Sequence, residues 1–322
     1  MTTSDRILVT GASGFVGQAL VRHLIHLGQV PIATTRRKAT PPLGAQPFVV
    51  GELGADTDWR LALRGCTAVV HAAARVHVMK DSSIDPLGEF RKANVAGTIR
   101  LATQAAQSGV RRFVFISSIK VNGEITSEGS PFTSSDIPQP ADPYAVSKLE
   151  AEQAVLTVAK NTGMEVVIIR PVLVYGPGVK ANFHWMMRWL HSGLPIPLGG
   201  VKNVRSFVAL ENLVDLVSVS LHHPAAANRI FLVSDGEDLS TPELLTRLGR
   251  SLGKPARLFS VPEQMVAIAA SLVNKREIVP RLYGSLHVDI RDTHTLLGWY
   301  PVVGVDQALL QTAQAFLRRG EK

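Results

Sequence analysis

A cluster of glycines near the start of the chain restricts its fold more than any other feature. Gly11, Gly14 and Gly17 follow directly on an apolar run at residues 7–9 and open an apolar segment with helical spacing. In such a strand–turn–helix unit, the first glycine permits the tight turn, the second lets backbone approach a pyrophosphate, and the third lets the helix pack close to the sheet. The N–H groups at the start of the helix attract the same anion. The cluster therefore predicts a dinucleotide site with contacts from Gly11, Ser13, Gly14, Phe15, Val16 and Gly17.

Short runs rich in valine and isoleucine alternate with helix-length segments through the first half of the chain. Strands are predicted at 6–10, 30–34, 48–50, 66–74, 112–118 and 165–170, and helices at 15–27, 89–108 and 143–160. Because the later runs at 113–116 and 166–169 are apolar throughout, we expect helices on both faces of their sheet. The pattern predicts an α/β fold, a Rossmann doubly wound parallel sheet.

The composition of the chain changes at Pro171. Prolines and glycines mark a loop-rich segment, one more strand is predicted at 229–234, and the remainder reads as helices and turns. We predict an NAD(P)-binding Rossmann domain formed by residues 1–171 and about 206–234. A smaller C-terminal substrate-binding lobe is expected from about 172–205 and 235–322.

Composition excludes several classes of function. The formal charge of +8 comes from scattered basic residues without an aromatic-studded basic tract, so we expect no nucleic-acid partner. A single cysteine, Cys66, excludes an internal disulfide framework and favours a reducing, cytoplasmic location. The longest membrane-like run, at 265–273, is too short for a transmembrane segment, and no signal peptide is expected. The histidine pairs lack accompanying cysteine or acidic ligands, so no metal site is expected.

The residues after the second strand bear on which dinucleotide binds. An acidic side chain there would hold the ribose hydroxyls of NAD, whereas arginine accommodates the 2′-phosphate of NADP. The chain carries Arg36 and Arg37 and has no carboxylate in 32–37. NADP(H) is therefore favoured and NAD(H) is the alternative, because these arginines could also be solvated loop charges. Glu52 is a candidate partner for the adenine edge.

A tyrosine–lysine pair supplies the chemistry. Tyr144 and Lys148 stand four residues apart, about one turn along one helix face. A cation close to a phenol favours the phenolate, so we expect Lys148 to lower the pKa of Tyr144 and to hold the nicotinamide ribose. Ser117 and Ser118 end a predicted strand at the sheet edge where doubly wound folds bind ligands. With the dinucleotide site, these residues predict hydride and proton transfer on an alcohol or ketone.

Several motifs in one order carry a resemblance to a known family. They are the glycine cluster at 10–17, His71-Ala-Ala-Ala74, Asn94-Val-Ala-Gly97, Ser117-Ser118, Tyr144-x-x-x-Lys148 and Arg170-Pro-Val-Leu-Val-Tyr-Gly-Pro177. Through these motifs, and a C-terminal segment at 292–299, the chain closely resembles the extended short-chain dehydrogenase/reductases, the nucleotide-sugar epimerase/dehydratase family. The resemblance covers essentially the whole chain.

The resemblance assigns roles to individual side chains. Ser118, Tyr144 and Lys148 match the family's catalytic hydroxyl, acid/base tyrosine and lysine. Asn94 resembles a position that supports the lysine in related reductases, and Asn122 stands among the substrate contacts where relatives have a tyrosine. The expected cofactor contacts also include Leu53, His71, Ala72, Ala73, Asn94, Tyr144, Lys148 and Pro171.

The second lobe is expected to bind the diphosphate of a UDP-sugar. Asn182 resembles a residue that hydrogen-bonds the diphosphate, Arg205 matches an arginine that contacts phosphates, and Arg281 is a further candidate. Arginine suits this role because its charge is permanent and its contacts are bidentate. The resemblance also implies a homodimer that pairs helices near 89–108 and 147–160.

The motifs leave the reaction open. The favoured hypothesis is a 4-keto reductase acting at C4 of a UDP-linked hexose or N-acetylhexosamine, since residues 120–205 look similar to bacterial surface-polysaccharide enzymes. The alternative is a UDP-glucose or UDP-N-acetylglucosamine 4-epimerase, which uses the same serine, tyrosine and lysine. A 4,6-dehydratase is disfavoured because Ile119-Lys120 stands where such relatives carry Asp-Glu. A non-enzymatic cofactor-binding regulator is the remote alternative.

Overall fold

The computed structural model describes residues 5–37, 41–76, 85–265, 271 and 282–320. Its strands are β1 Ile7–Thr10, β2 Ile32–Thr35, β3 Gln46–Val49, β4 Ala68–His71, β5 Arg112–Ile116, β6 Glu165–Pro171, β7 Leu173–Tyr175, β8 Phe207–Ala209 and β9 Arg229–Val233. Among these residues the α-helices are α1 Phe15–His26, α2 Arg60–Leu63, α3 Pro86–Phe90, α4 Gly97–Gln107, α5 Pro143–Thr162, α6 Ala181–Ser192, α7 Leu210–His222, α8 Thr241–Ser251, α9 Arg291–Leu297 and α10 Val305–Gly320. A π-helical segment, Arg91–Ala96, joins α3 to α4, and short 3-10 helices occupy Ile119–Val121 and Pro224–Ala226.

Seven strands form one parallel sheet in the order β3-β2-β1-β4-β5-β6-β9. The order runs one way from β1 to β3 and the other way from β4 onwards, so the direction of winding reverses between β1 and β4. Ligands bind at such a reversal, outside the carboxyl ends of the strands. The predicted Rossmann doubly wound fold is confirmed. The strand predicted at 66–74 is shorter than expected, since β4 covers only Ala68–His71.

Alternate residues of the central strands pack into two different cores. On β6, Val167 and Ile169 join the core that includes α1 and α7, whereas Val166 and Ile168 join the core that includes α4 and α5. Each of these four side chains is fully buried. The sheet is therefore covered on both faces, as its uniformly apolar strands require.

Local signals at both ends fix α5, the helix that carries Tyr144 and Lys148. The carboxylate of Asp142 accepts a hydrogen bond from the Ala145 backbone N–H, and Pro143 occupies the first helical turn. At the other end Gly163 adopts a left-handed conformation with φ of 76°. These are the preferred start and stop residues of helices, and they set where the tyrosine and lysine lie against the sheet.

A third core lies in the later part of the chain. It combines β7 and β8, which pair in parallel as a separate two-stranded sheet, with inward-facing residues of α6, α8 and α10. Side chains at 286–299 pack instead against the core that contains α1 and α7. The exact division into two lobes stays a prediction. Residues 286–299, which were assigned to the second lobe, pack against a core of the first lobe.

Within the described ranges, every helix is too short or too polar to cross a membrane.

Candidate active site

The glycine cluster forms a close-packed turn at the carboxyl end of β1. Gly11 has φ of +67°, and a Cβ there would lie 2.8 Å from the backbone nitrogen of Ala73. A Cβ on Gly17 would lie 2.1 Å from the carbonyl oxygen of Gly11. The start of α1 has no side-chain cap and no acidic residue in its first turn. Uncapped N–H groups at a helix start suit a pyrophosphate, so this turn fits a dinucleotide.

His71, at the end of β4, is held in a buried hydrogen-bond chain. Its Nδ1 lies 2.7 Å from the Thr10 hydroxyl, and its Nε2 lies 2.9 Å from the Thr98 hydroxyl. The Thr98 hydroxyl donates its one proton to the Asn94 carbonyl, so Nε2 must carry the imidazole proton. Burial and the Lys148 charge lower the pKa of His71 to about 3, which keeps the ring neutral. A cofactor contact at His71 would therefore use its backbone.

Asn94 holds the segment that follows β4. Its Oδ1 accepts the backbone N–H of Arg75 at 2.7 Å, and its amide donates to the Arg75 carbonyl and the Ser147 hydroxyl, each at 3.0 Å. The structure thus joins Asn94 to the neighbour of Lys148 instead of to Lys148 itself. Support of the lysine by Asn94 stays a prediction, and the contact available for it runs through Ser147 on α5.

The two serines after β5 have different surroundings. Ser118 is half-buried and starts the 3-10 helix, its Oγ accepting the Lys120 backbone N–H at 3.3 Å. Ser117 is 4% exposed, and within the described part of the chain its Oγ has no hydrogen-bond partner. Both lie at the carboxyl edge of the sheet, next to the ends of β4 and β6. This is where ligands bind in doubly wound folds.

Lys148 is buried in a largely apolar place. Its Nζ donates to the Ile116 carbonyl at 2.7 Å and lies 3.8 Å above the centre of the Phe115 ring. Desolvation lowers the pKa of Lys148 to about 7, although the charge of Glu152 opposes the shift. A lysine with a pKa near neutrality exchanges protons readily at physiological pH.

Tyr144 departs from its predicted electrostatics. Burial, with a smaller contribution from Asp142, raises the pKa of Tyr144 to about 12 instead of lowering it. Its ring meets Phe90 edge-on, with 6.0 Å between the centroids. The expected lowering of the Tyr144 pKa by Lys148 is therefore wrong for the protein alone. In the protein alone, Tyr144 is therefore a protonated phenol.

Asn122 belongs to a buried polar network, which corrects its predicted role as a substrate contact. Its Oδ1 accepts from Arg170 Nη1 at 2.9 Å and its amide donates to the Thr133 carbonyl at 2.9 Å. Arg170 also makes a bidentate pair with Glu152, at 3.0 and 2.5 Å. Asn122 is 1% exposed. Its side chain holds the loop after Ser118 against β6 and α5.

The candidate adenosine end of the site carries opposite charges. Arg36 Nη1 lies 3.6 Å from the Glu52 carboxylate, and both side chains are mostly exposed. Arg37 follows at the same loop, and its carbonyl accepts from the Thr35 hydroxyl at 2.7 Å. Leu53 packs beside Gly97 at the start of α4. A carboxylate from outside residues 32–37 therefore stands beside Arg36.

The remaining predicted residues are distributed over the molecule. Ala72 and Ala73 are half-buried beside Gly11, and Pro171 is buried at the end of β6. Asn182 is exposed in the first turn of α6. Arg205 is half-buried, and its Nη1 donates to the Gly284 carbonyl at 2.8 Å. Arg281 lies outside the described residues.

Two features of the site were not predicted. The ring of Phe115 contacts both Lys148 and His71, stacking on the His71 ring with centroids 5.6 Å apart. Strand alternation could have placed Phe115 on the α5 face of the sheet. The buried pair of Arg170 and Glu152 had a signal too, since an arginine inside an apolar strand requires a partner. Among the described residues no cluster of histidine, cysteine or carboxylate side chains could hold a metal.

One known protein family matches most of this chain. A model of the NAD dependent epimerase/dehydratase family matches residues 7–234. The chain belongs to this family. The match spans the sheet, the glycine turn and the Ser118–Tyr144–Lys148 set.

Individual relatives extend the comparison over the whole length. The chain is 47% identical to a UDP-glucose 4-epimerase of Vibrio cholerae, with 100% of both chains covered. It is 34% identical to a dihydroflavonol 4-reductase of Zea mays, over 69% of this chain and 68% of that one. Among solved structures, MoeE5 in complex with UDP-glucose and NAD matches with a TM-score of 0.77 and 26% identity, covering 98% of this chain and 100% of that chain.

Proposed function

We propose that this protein is an NAD-dependent UDP-sugar 4-epimerase that inverts C4 of a UDP-hexose such as UDP-glucose. The observation that carries the proposal is the 47% identity to the Vibrio cholerae UDP-glucose 4-epimerase over the full length of both chains. The match to MoeE5 with bound UDP-glucose and NAD supports both ligands. The earlier preference for a 4-keto reductase has weaker support than its epimerase alternative.

The proposed chemistry divides between three side chains. Tyr144 exchanges a proton with the C4 oxygen of the sugar, Ser118 hydrogen-bonds the same oxygen, and Lys148 holds the cofactor ribose. When bound, oxidised NAD supplies the hydride acceptor and a positive charge that favours an ionised phenol. The raised pKa of Tyr144 in the protein alone then keeps the phenol protonated until the cofactor is bound. Such a tyrosine would not act on water or stray substrates.

One side chain near the expected ribose, the Glu52 carboxylate, supports NAD over NADP. The Glu52 carboxylate lies 3.6 Å from Arg36, so it partly neutralises the arginine and repels a 2′-phosphate. Arg36 and Arg37 alone favoured NADP(H), and the comparisons give that preference no support. We therefore assign NAD as the resident cofactor, bound at the α1 turn.

The UDP moiety is proposed to lie at the second lobe. Asn182, in the first turn of α6, and Arg205 are the candidate diphosphate ligands, with Arg281 as a third. The start of α6 has no side-chain cap and no acidic residue in its first turn, which suits an anion. We also propose a homodimer through α4 and α5, to be tested by analytical ultracentrifugation.

The test follows C4 of the sugar by proton NMR. Purified protein is incubated with UDP-glucose, and separately with UDP-galactose, in the presence of a catalytic amount of NAD. We expect both reactions to reach the same mixture without net formation of NADH. The control is Tyr144→Phe, which should retain its fold and NAD binding but lose activity. Failure to convert either sugar, together with NADPH oxidation by a UDP-4-keto-6-deoxy-N-acetylhexosamine, would overturn the proposal in favour of the reductase.

A further inference from the structure

The outer face of α6 exposes large aromatic side chains. Its inner face buries Phe183, Met187 and Leu190 in the third core. On the opposite face Trp185 is 58% exposed and Trp189 is 47% exposed, one turn apart. Such exposure is unusual for tryptophan, because the burial of its large ring contributes strongly to stability.

Two further apolar side chains extend this face. Leu194 is 58% exposed and follows α6 directly, and Phe259 is 48% exposed. Phe259 lies near the same segment because its backbone N–H donates to the Ile196 carbonyl at 3.1 Å. The aromatic surface is defined here as Trp185, Arg188, Trp189, Leu194 and Phe259.

Cations outnumber carboxylates along the stretches that form the aromatic surface, and the exposed Glu263 lies four residues after Phe259. Residues 166–210 contain no aspartate or glutamate, and neither do residues 251–262. Exposed cations in or beside these stretches include Arg188, whose guanidinium lies 5.0 Å from the Trp185 ring centre, and Lys254 and Arg257. At the end of α10, Phe316 contacts rings on α6 and is followed by the exposed Arg318.

We infer that the aromatic surface docks the protein onto an anionic phospholipid bilayer. Tryptophan rings prefer the headgroup level of a membrane, and arginine and lysine beside them are attracted to anionic lipids. A row of exposed aromatic residues with a mainly basic surround is complementary to that surface in both polarity and charge. The contact would be peripheral, with α6 lying along the interface.

The same charges make a second copy of the chain a poorer occupant. Pairing two aromatic surfaces would bring Arg188 and Arg257 close to their symmetry mates, and these cations outnumber the neighbouring carboxylate of Glu263. Like charges held close together across a contact oppose association. An anionic bilayer meets the same cations with opposite charge.

Tryptophan fluorescence gives a direct readout of this contact. The chain has four tryptophans, and Trp59 and Trp299 are 0% and 4% exposed. A blue shift on adding vesicles would therefore report on Trp185 and Trp189. Full-length protein is titrated with vesicles of phosphatidylcholine alone and of phosphatidylcholine mixed with phosphatidylglycerol, and bound protein is measured by co-sedimentation.

We expect binding and a blue shift only with the phosphatidylglycerol vesicles. Raising the salt from about 0.1 M to about 1 M shortens the screening length from about 10 Å to about 3 Å, so binding should fall. Trp185→Ser with Trp189→Ser should weaken co-sedimentation by about tenfold or more. Arg188→Gln should weaken it roughly fivefold.

Matched variants test whether the effect belongs to this face. Leu43→Ser with Leu61→Ser removes two exposed apolar side chains of the first lobe, and Arg64→Gln removes an exposed cation there. These controls should bind vesicles like the parent protein. Equal binding to both vesicle types, or loss of binding in the controls as well, would overturn the inference. So would self-association of the parent, measured by ultracentrifugation without lipid, that the double tryptophan variant abolishes.

Discussion

Removal of Arg170 tests how strongly the buried network behind the proposed catalytic residues stabilises the fold. Arg170 is 2% exposed and Glu152 is 1% exposed, and the guanidinium contacts both oxygens of the carboxylate at 3.0 and 2.5 Å. Its third contact, at 2.9 Å, is the side-chain oxygen of Asn122. Arg170→Met therefore leaves a buried carboxylate without its cation and a buried acceptor without its donor.

The expected loss of stability is large. Removing one partner of a buried ion pair costs about 3–5 kcal/mol, because the remaining charge is desolvated without compensation. Replacement of both partners by apolar side chains is far less costly, so Arg170→Met with Glu152→Met should recover much of that loss. The two substitutions must therefore be strongly non-additive.

Urea unfolding of the parent, both single variants and the double variant completes the cycle. A second readout is the pH dependence of the reaction, since the Glu152 charge raises the pKa of Lys148. Without Arg170 that charge is uncompensated, so the pKa of Lys148 should rise in the single variant. A loss below about 1 kcal/mol, or additive effects, would refute this account of the network.

Three further predictions concern the site itself. Gly17→Ala places a Cβ 2.1 Å from the Gly11 carbonyl oxygen, so it should destabilise the fold by about 1–3 kcal/mol. It should also weaken NAD binding, measured by a fluorescence titration. The control is Gly304→Ala, whose Cβ meets open space and should have neither effect. Tyr144→Phe should lower kcat by about 10²–10⁴-fold with KM little changed, and a retained rate would remove the tyrosine from the mechanism. The pKa of Lys148 is lowered to about 7, so between pH 7 and about 10 the unfolded chain holds a proton that the folded chain lacks. Across that range the stability of the parent should rise relative to Lys148→Met by about 1.4 kcal/mol per pH unit, measured by urea melts, and parallel curves would contradict the assigned pKa.

The sequence was sufficient for the sheet and for the glycine turn. Val/Ile runs placed most strand ends within two residues, since a parallel sheet buried on both faces demands uniformly apolar strands. The requirement for Gly17 was also readable, because the packing of α1 on β1 leaves no room for a side chain there. The pair β7 and β8 was not predicted, since three-residue strands in a segment rich in proline and glycine give no periodic signal.

The electrostatics of the site could not be read from spacing alone. Four residues along a helix set Tyr144 near Lys148, but the direction of both pKa shifts depends on burial by β5 and α3. Asn122 was likewise predicted to contact substrate, because it stands where relatives have a tyrosine. Only its hydrogen bond from Arg170 revealed a structural role. Local motifs specify which residues are present, whereas desolvation depends on the whole fold.

The most direct test of the proposed function is the fate of the C4 hydrogen. UDP-glucose that carries deuterium at C4 is converted in ordinary water with a catalytic amount of NAD, and the UDP-galactose formed is examined by NMR and mass spectrometry. An epimerase whose bound cofactor takes and returns the same hydride should yield UDP-galactose with deuterium retained at C4. Loss of the label to solvent or its transfer to free reduced cofactor would contradict the account, as would the absence of UDP-galactose.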